Sequence, residues 1–428
     1  MSRVIILSNN YISLHNFNYL LIFLIPFSLI SGSFIPDLIC VLLGLYAIKS
    51  IFFDGNFKIF KTYFYLFFIF YFICIVSSIF SRDIGFSFQS SLLYFRFFFY
   101  SCAIILLFIH NQNKILNIIL VSLLSCLLLL FFDFLINYNQ NISERPIVSY
   151  LFGDEKKAGS YLSRFYPLLI CIILFKDIKF KNIVIHIIIL LSTFIIILSF
   201  ERTALLIFSL SNLLFFIFIK ELRKILVVNL LLAISLFTIY SFTMSNNVFN
   251  KVFLDTKNQI FTNDSIKIFS DHHETHYITA LKMFNSNKIL GIGPKMFRIK
   301  CSHPDYITTY IELKDNQLIN RGNGCATHPH NIYLQLLAET GLPGFIYLFI
   351  LELFIIFKLV KIRITKNKYS NSKYILVIGS TILLFCNLFP LMPHGNFFNN
   401  WINIFYYFSL SIFIYFNYFD YKNVKINN

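Results

Sequence analysis

The stretch from Ala326 to Phe345, ATHPHNIYLQLLAETGLPGF, sets polar groups at the mouth of an apolar run. His330 and Asn331 stand at its start, and Gly341 and Gly344 follow about three and three and a half helical turns later. Near neutral pH a histidine can take the proton from a hydroxyl as that hydroxyl attacks, which is general-base work. On a helix Asn331, Gln335 and Glu339 share one face. A polar stripe on a spanning helix normally faces a cavity rather than lipid, because ionisable groups at membrane depth are expensive and mark functional sites. The plainer reading is a helix cap with a satisfied structural histidine. Gly341, Pro343 and Gly344 read as a bend or break in that helix.

Other constellations stand apart in the chain. Glu201-Arg202-Thr203 interrupts two apolar runs. A guanidinium there can hold phosphate oxygens bidentately and stays charged when buried; alternatively Glu201 and Arg202 make a turn and pair with each other. Phe152 to Tyr161, FGDEKKAGSY, offers Asp154 and Glu155 to orient a sugar, or is only a solvated loop before a helix. Arg164 follows within that helix and is a second candidate for the phosphate end of a lipid. His272, His273 and His276 crowd the start of a short amphipathic helix, HYITALKMF, with the turn GIGPKMF beyond it. A solvated helix face explains them better than a metal site, and no spacing elsewhere suggests one. Arg96 lies within an apolar run and should face the interior, where Asp133 on the next helix is a candidate partner.

The elements that must position these groups are membrane helices. The chain has 428 residues, 57% of them hydrophobic and only 13% charged, with mean hydropathy +0.71. A soluble domain of that size cannot hide so much apolar surface, so the expected class is an all-α polytopic membrane protein. About twelve spans are predicted, near 17–33, 35–52, 62–80, 87–109, 115–136, 159–175, 182–200, 203–219, 225–243, 331–357, 374–391 and 400–418. Lysine and arginine alternate between the connections. With a cytoplasmic N-terminus, Lys58, Lys114, Lys176, Lys220 and Lys358 to Lys373 all fall inside, so both termini are expected inside. That leaves a smaller outer loop at 138–158 and a large one at 245–329, between helices 9 and 10 of a single membrane domain, 1–428. The net charge of +16 fits cytoplasmic loops and does not argue for a nucleic-acid partner. The first apolar run lacks a small-residue cleavage site and reads as a first span. Cys40, Cys74, Cys102, Cys126, Cys171 and Cys386 sit in apolar segments as small hydrophobes, whereas Cys301 and Cys325 share the large loop and can pair if it faces an oxidising compartment.

The order His-Asn, nine residues, Gly, two residues, Gly within 326–345 resembles the signature of the O-antigen ligase and O-antigen polymerase superfamily, with the related domain expected at about 185–350. Further stretches resemble it between Phe152 and Phe345: Phe-Gly with a polar pair and Gly-Ser-Tyr, the Glu-Arg-Thr turn, and Gly291-x-Gly293-x-x-x-Phe297 after a small helix. Many relatives carry an arginine near the start of that small helix; this chain has His272, His273 and His276, with Arg298 nearby as a possible substitute. The resemblance implies a membrane glycosyltransferase of the bacterial inner membrane, working at the periplasmic face on a glycan carried by polyprenyl pyrophosphate. It implies an inverting reaction that needs neither metal nor cofactor, onto the hydroxyl of lipid A-core (ligase) or of another lipid-linked repeat (polymerase). In those terms His330 is the base and Arg202 the main pyrophosphate contact. Arg164, Lys295 and Arg298 are secondary contacts, Asn331 and Glu339 supporting or acceptor-side groups, and Asp154 and Glu155 acceptor-side groups. A polysaccharide or lipid transporter is the alternative of another class.

Overall fold

The computed structural model describes residues 2–137, 151–152, 157–176, 178–243, 257, 261–262, 265–266, 269–314 and 317–419. Asp154 and Glu155 lie outside them, as do most of the smaller outer loop and the first part of the large one. The helices are α1 (Ser2–Ser28), α2 (Phe34–Ile48), α3 (Phe57–Ile79), α4 (Ile84–Leu92), α5 (Arg96–Asn137), α6 (Ala158–Lys176), α7 (Lys181–Leu198), α8 (Arg202–Phe218), α9 (Leu222–Thr243), α10 (Asp271–Ser286), α11 (Phe297–Lys300), α12 (Ile332–Ile364), α13 (Asn371–Leu388) and α14 (Asn400–Ile414). Seven helical stretches among the described residues are long and apolar enough to cross a membrane. Large apolar side chains stay exposed on their outward faces, among them Phe53, Ile136, Ile364 and Phe34, as lipid-facing helices require. The chain is a multi-pass, all-α membrane protein. It departs from all-helical order in the connection between α9 and α12, where β3 (Thr309–Lys314) and β4 (Gln317–Asn323) form an antiparallel hairpin beyond a two-residue pair, β1 (Phe261–Thr262) and β2 (Ser265–Ile266).

The polar run HNQNK turns α5: Asn111 leaves helical geometry (φ −156°, ψ 85°) and its side chain accepts from the Lys114 amide, capping a second helix. The expected division between 109 and 115 falls there. Arg96 pairs with Asp37 at 2.9 Å and donates to Asn400 at 2.6 Å, so the expected partner Asp133 is replaced by a residue 59 positions upstream. The reason is packing, since α2 lies along α5.

Helices α6 and α13 form the centre, with 89% and 83% of their apolar windows buried, against 22% for the peripheral α3. They pack on each other and on α7, α8, α12 and α14. Helix α12 breaks at Gly341 (φ 69°, ψ −166°), and the sequence says why. Pro343 has no N–H to give the Glu339 carbonyl, and the Leu342 amide turns instead to the Lys288 carbonyl at 2.9 Å. The carbonyls thus released are taken by the long loop and by α3: Ile292 N–H donates to Ala338 (3.0 Å), and Gly293 N–H (2.8 Å) and the Ser77 hydroxyl (2.7 Å) to Glu339. The turn GIGPKMF is therefore fastened to α12 at its break. Gly291 (φ 67°) faces Gly341 so closely that a Cβ would stand 2.5 Å from the Glu339 carbonyl carbon and 2.6 Å from the Gly341 nitrogen. Cys301 and Cys325 are joined by a disulfide, Cα to Cα 4.8 Å, closing the next part of the loop.

Candidate active site

At one end of the bundle the first turns of α6, α8, α10 and α14, with the 327–330 turn ahead of α12, converge on a cavity of about 1040 Å³. Helix starts carry the positive end of the helix dipole, so their convergence already favours an anion. The side chains agree. Arg164, Arg202, Arg298 and Lys157 line the cavity with His272, His273, His328, His330 and His394, against Glu201 and Asp271.

Glu201 is engaged with α6. Its carboxylate accepts from the Gly159 amide (2.7 Å), the Ser160 amide (3.0 Å) and the Ser160 hydroxyl (2.6 Å), capping that helix from the start of the next but one. This holds the Arg202 turn against the Lys157–Ser160 turn. Phe200, just before it, sits at φ 55°, a backbone region unusual for a bulky residue. Arg164 is 3% exposed. One terminal nitrogen donates to the Asn387 side chain at 2.9 Å, while its Nε is buried without a partner.

The two histidines of the motif differ in what they are free to do. The His328 Nε2 lies 3.0 Å from the His394 carbonyl and Nδ1 lies 2.9 Å from the Thr327 hydroxyl. A carbonyl can only accept, so Nε2 carries the proton and the threonine hydroxyl serves Nδ1. Both nitrogens are used. His330 takes the left-handed conformation, φ 57°, fixed by the His394 amide donating to its carbonyl at 2.8 Å. Its ring makes no hydrogen bond among the described residues. It packs against His328 (centroids 4.3 Å), His276 (5.3 Å) and His273 (5.5 Å) on the cavity wall. Burial first, then those neighbouring imidazoles, push its pKa down to about 3. Burial likewise lowers His273 and His328 to about 4. Lowered in this way, the His273, His328 and His330 rings are neutral, and His330 offers an unblocked lone pair.

Asn331, Gln335 and Glu339 do share a face of α12, but none lines the cavity, and all are buried. Asn331 caps the helix, accepting from the Tyr333 (3.0 Å) and Leu334 (3.1 Å) amides, and donates to the Pro390 carbonyl at 2.8 Å. Gln335 donates to Glu339 (2.9 Å) and Asn396 (3.0 Å) and accepts from the Phe397 amide (2.8 Å). Glu339 accepts from the Phe297 amide at 2.9 Å. The stripe ties two loops to α12, the turn that carries Arg298 and the 389–399 connection. Lys295 (φ 60°) stands beside Glu339 and does not line the cavity; burial lowers its pKa. His272, His273 and His276 are brought to the His330 ring by α10, with the His276 Nδ1 donating to the His272 carbonyl. No group of three or more His, Cys, Asp or Glu side chains arranged to hold a metal occurs among the described residues.

Lys157 and His394 were not singled out from sequence. Lys157 was legible only as one more loop lysine. His394 sits alone in PLMPHGN, whose Pro-His-Gly order between the last two apolar runs was its only signal.

Fold and cavity together define a multi-pass membrane protein with a cationic chamber at one end of its helices. Residues 187–349 match the family model described as O-antigen ligase, which supports a likeness to the O-antigen ligase and polymerase superfamily over that stretch. The matched stretch holds Arg202, Arg298, His328 and His330 and leaves out Lys157, Arg164 and His394. No curated protein matches the chain.

Proposed function

We propose that the chain is an O-antigen ligase-like glycosyltransferase that moves a glycan from polyprenyl pyrophosphate onto a hydroxyl of lipid A-core. The observation that carries this reading is an unengaged, neutral His330 on the wall of a cavity that also holds Arg164, Arg202 and Arg298. On this reading the chain crosses the inner membrane twelve times with both termini inside, so that the cavity opens at the periplasmic face, where donor and acceptor meet. Helix starts and basic termini then fall on opposite sides, in keeping with the charge asymmetry of the connections.

In the reaction the acceptor hydroxyl gives its proton to a His330 nitrogen while its oxygen attacks the anomeric carbon. The bond from that carbon to the pyrophosphate oxygen breaks, and the electron pair leaves with the pyrophosphate. One displacement inverts the centre. Arg202 is the main contact for the departing charge, with Arg164 and Arg298 beside it, and fixed cations of this kind stabilise charge that develops in the transition state. His328, with both nitrogens committed, positions the His330 turn. Asn331 and Glu339 hold the loops that shape the cavity, and Lys295 acts at second hand through the turn that bears Arg298. Asp154 and Glu155 remain candidates for the acceptor side.

The test is the lipopolysaccharide banding pattern of a deletion strain complemented with wild-type chain or with His330→Ala. Lost long bands over intact lipid A-core, with polymer accumulating on its carrier, indicate ligase; core bearing a single repeat indicates polymerase. Wild-type banding from His330→Ala would remove His330 as the base. A deletion without effect would bring the transporter reading forward.

A further inference from the structure

The cavity floor carries polar groups that the fold leaves unsatisfied. His394 is 3% exposed, lines the cavity, and neither ring nitrogen makes a hydrogen bond. The Met392 and Asn387 carbonyls lie close without serving either nitrogen in good geometry. Arg164, its electrostatic neighbour, also lines the cavity with a buried and unpartnered Nε. The Tyr406 hydroxyl, in electrostatic range of Arg164, is buried without a partner as well.

These are not loosely held groups. Asn387 fixes Arg164 and is itself held by the Ser409 hydroxyl, its side-chain nitrogen donating at 3.1 Å. The His394 backbone is held on both sides by the base-bearing turn, its amide on the His330 carbonyl (2.8 Å) and its carbonyl on the His328 Nε2 (3.0 Å). Buried donors are nearly always satisfied, and each exception calls for a cause. Here two such exceptions, His394 and Arg164, line one chamber and are held rigidly in place, while Tyr406 lines a separate apolar pocket. A guanidinium N–H and an imidazole N–H both donate, so what they fit is an oxyanion.

We propose that His394 and Arg164 form a deep subsite for a phosphoryl oxygen of the substrate. His394 is a binding residue of this site, outside the stretch that the family model covers. That the oxygen belongs to the donor pyrophosphate rests on the glycosyl-transfer reading; a phosphate on the acceptor has the same chemistry. The site also couples to the base. An anion drawn onto His394 pulls on the same loop whose amide and carbonyl hold His330 and His328.

The chain's single tryptophan, Trp401, lines the same cavity, so its emission reports occupancy. Full-length protein in phosphatidylcholine nanodiscs is titrated with inorganic pyrophosphate, with polyprenyl pyrophosphate and with lipid A-core. His394→Leu should weaken binding of one phosphate-bearing probe by roughly tenfold to a hundredfold, the effect of losing a hydrogen bond to a charged group. His394→Asn restores a donor and should recover most of that loss. Weakening confined to the pyrophosphates assigns the oxygen to the donor, and weakening confined to lipid A-core assigns it to the acceptor. Wild-type affinity of His394→Leu for every probe overturns the subsite, as does His394→Asn binding as weakly as His394→Leu, or a wild-type chain that answers none of them. The transfer reading fails separately: if His330→Ala supports transfer while His394→Leu loses pyrophosphate affinity, the base is misassigned and the subsite stands.

Discussion

Gly291→Ala should disconnect the outer loop from α12, and the size of the effect follows from the contact. The new Cβ would stand 2.5 Å from the Glu339 carbonyl carbon and 2.6 Å from both the Glu339 oxygen and the Gly341 nitrogen. All three atoms are backbone, so no side chain can swing aside. The left-handed φ of 67° adds about 1–2 kcal/mol for any residue with a Cβ, and overpacking adds about 1–3 kcal/mol. Relief requires separating the turn from the helix, at the expense of the Ile292–Ala338 and Gly293–Glu339 hydrogen bonds, about 1 kcal/mol each. The expected total is on the order of 4 kcal/mol or more, enough to undock a loop segment rather than unfold the bundle. Arg298 and the α10 histidines would then leave His330. Limited proteolysis of the 287–300 segment, thermal unfolding in detergent and glycan transfer measure this together. Gly395→Ala is the control. Gly395 lines the cavity itself, yet a Cβ there meets nothing within 4 Å, and the change should stay within about 0.5 kcal/mol. If Gly291→Ala kept wild-type protease resistance and transfer, or if Gly395→Ala proved the more damaging, the account of how this loop is fastened would be refuted.

Other perturbations test other joints. Glu201→Ala removes the acceptor of the Gly159 and Ser160 donors and should cost about 1–3 kcal/mol of stability together with most transfer; a variant unchanged in both melting and turnover would show that the α6–α8 joint is idle. Cys301→Ser with Cys325→Ser opens a closure across 24 positions and should cost the outer loop about 3 kcal/mol, read as faster proteolysis, whereas equal cleavage rates would deny the bridge any role. The pH dependence has a definite sign. His273, His328, His330 and His394 are all lowered to about 3 or 4 from 6.5, so between about pH 6.5 and 4 the unfolded chain binds more protons than the folded one, and stability falls as pH falls through that window. Melting temperature should drop over it, less steeply for His328→Asn combined with His330→Asn, and a slope identical to wild type would contradict the burial of these rings.

The helices were legible because long apolar runs admit few other readings, and the bend in α5 because HNQNK is the only polar interruption there. The break in α12 could be read from Gly341 and Pro343, since a missing N–H is a property of the sequence. What the break was for could not be read, because the carbonyls it releases are used by Ile292 and Gly293, some 50 positions upstream. The shared face of Asn331, Gln335 and Glu339 followed from helical spacing, but spacing does not say whether a polar face meets a cavity or two loops. Arg96 announced that it needed a partner without naming Asp37, because an ion pair across 59 positions is settled by packing. His394 gave the weakest signal of all, a lone histidine in a short loop, and it became visible only when its backbone was found bridging His328 and His330.

The chamber raises a chemical difficulty that its own composition resolves. A base whose pKa lies near 3 accepts a proton reluctantly, and proton transfer works best when the base titrates near the working pH. Burial and the neighbouring imidazoles cause the depression, because both oppose a new positive charge. A pyrophosphate brought in by Arg202, Arg164 and Arg298 supplies the opposite charge and raises the affinity of His330 for a proton. On the proposed reading, donor binding therefore makes the base competent, and an acceptor hydroxyl that arrives first finds a histidine unable to activate it. The coupling is reciprocal, so a proton on His330 must tighten the pyrophosphate by the same free energy. Pyrophosphate affinity measured by Trp401 emission should rise as pH falls from about 7 to 5, and the rise should shrink in His330→Asn. A pyrophosphate affinity independent of pH in wild-type protein would mean that base and anion do not sense each other, and the ordering of donor before acceptor would have to come from somewhere other than this cluster of charges.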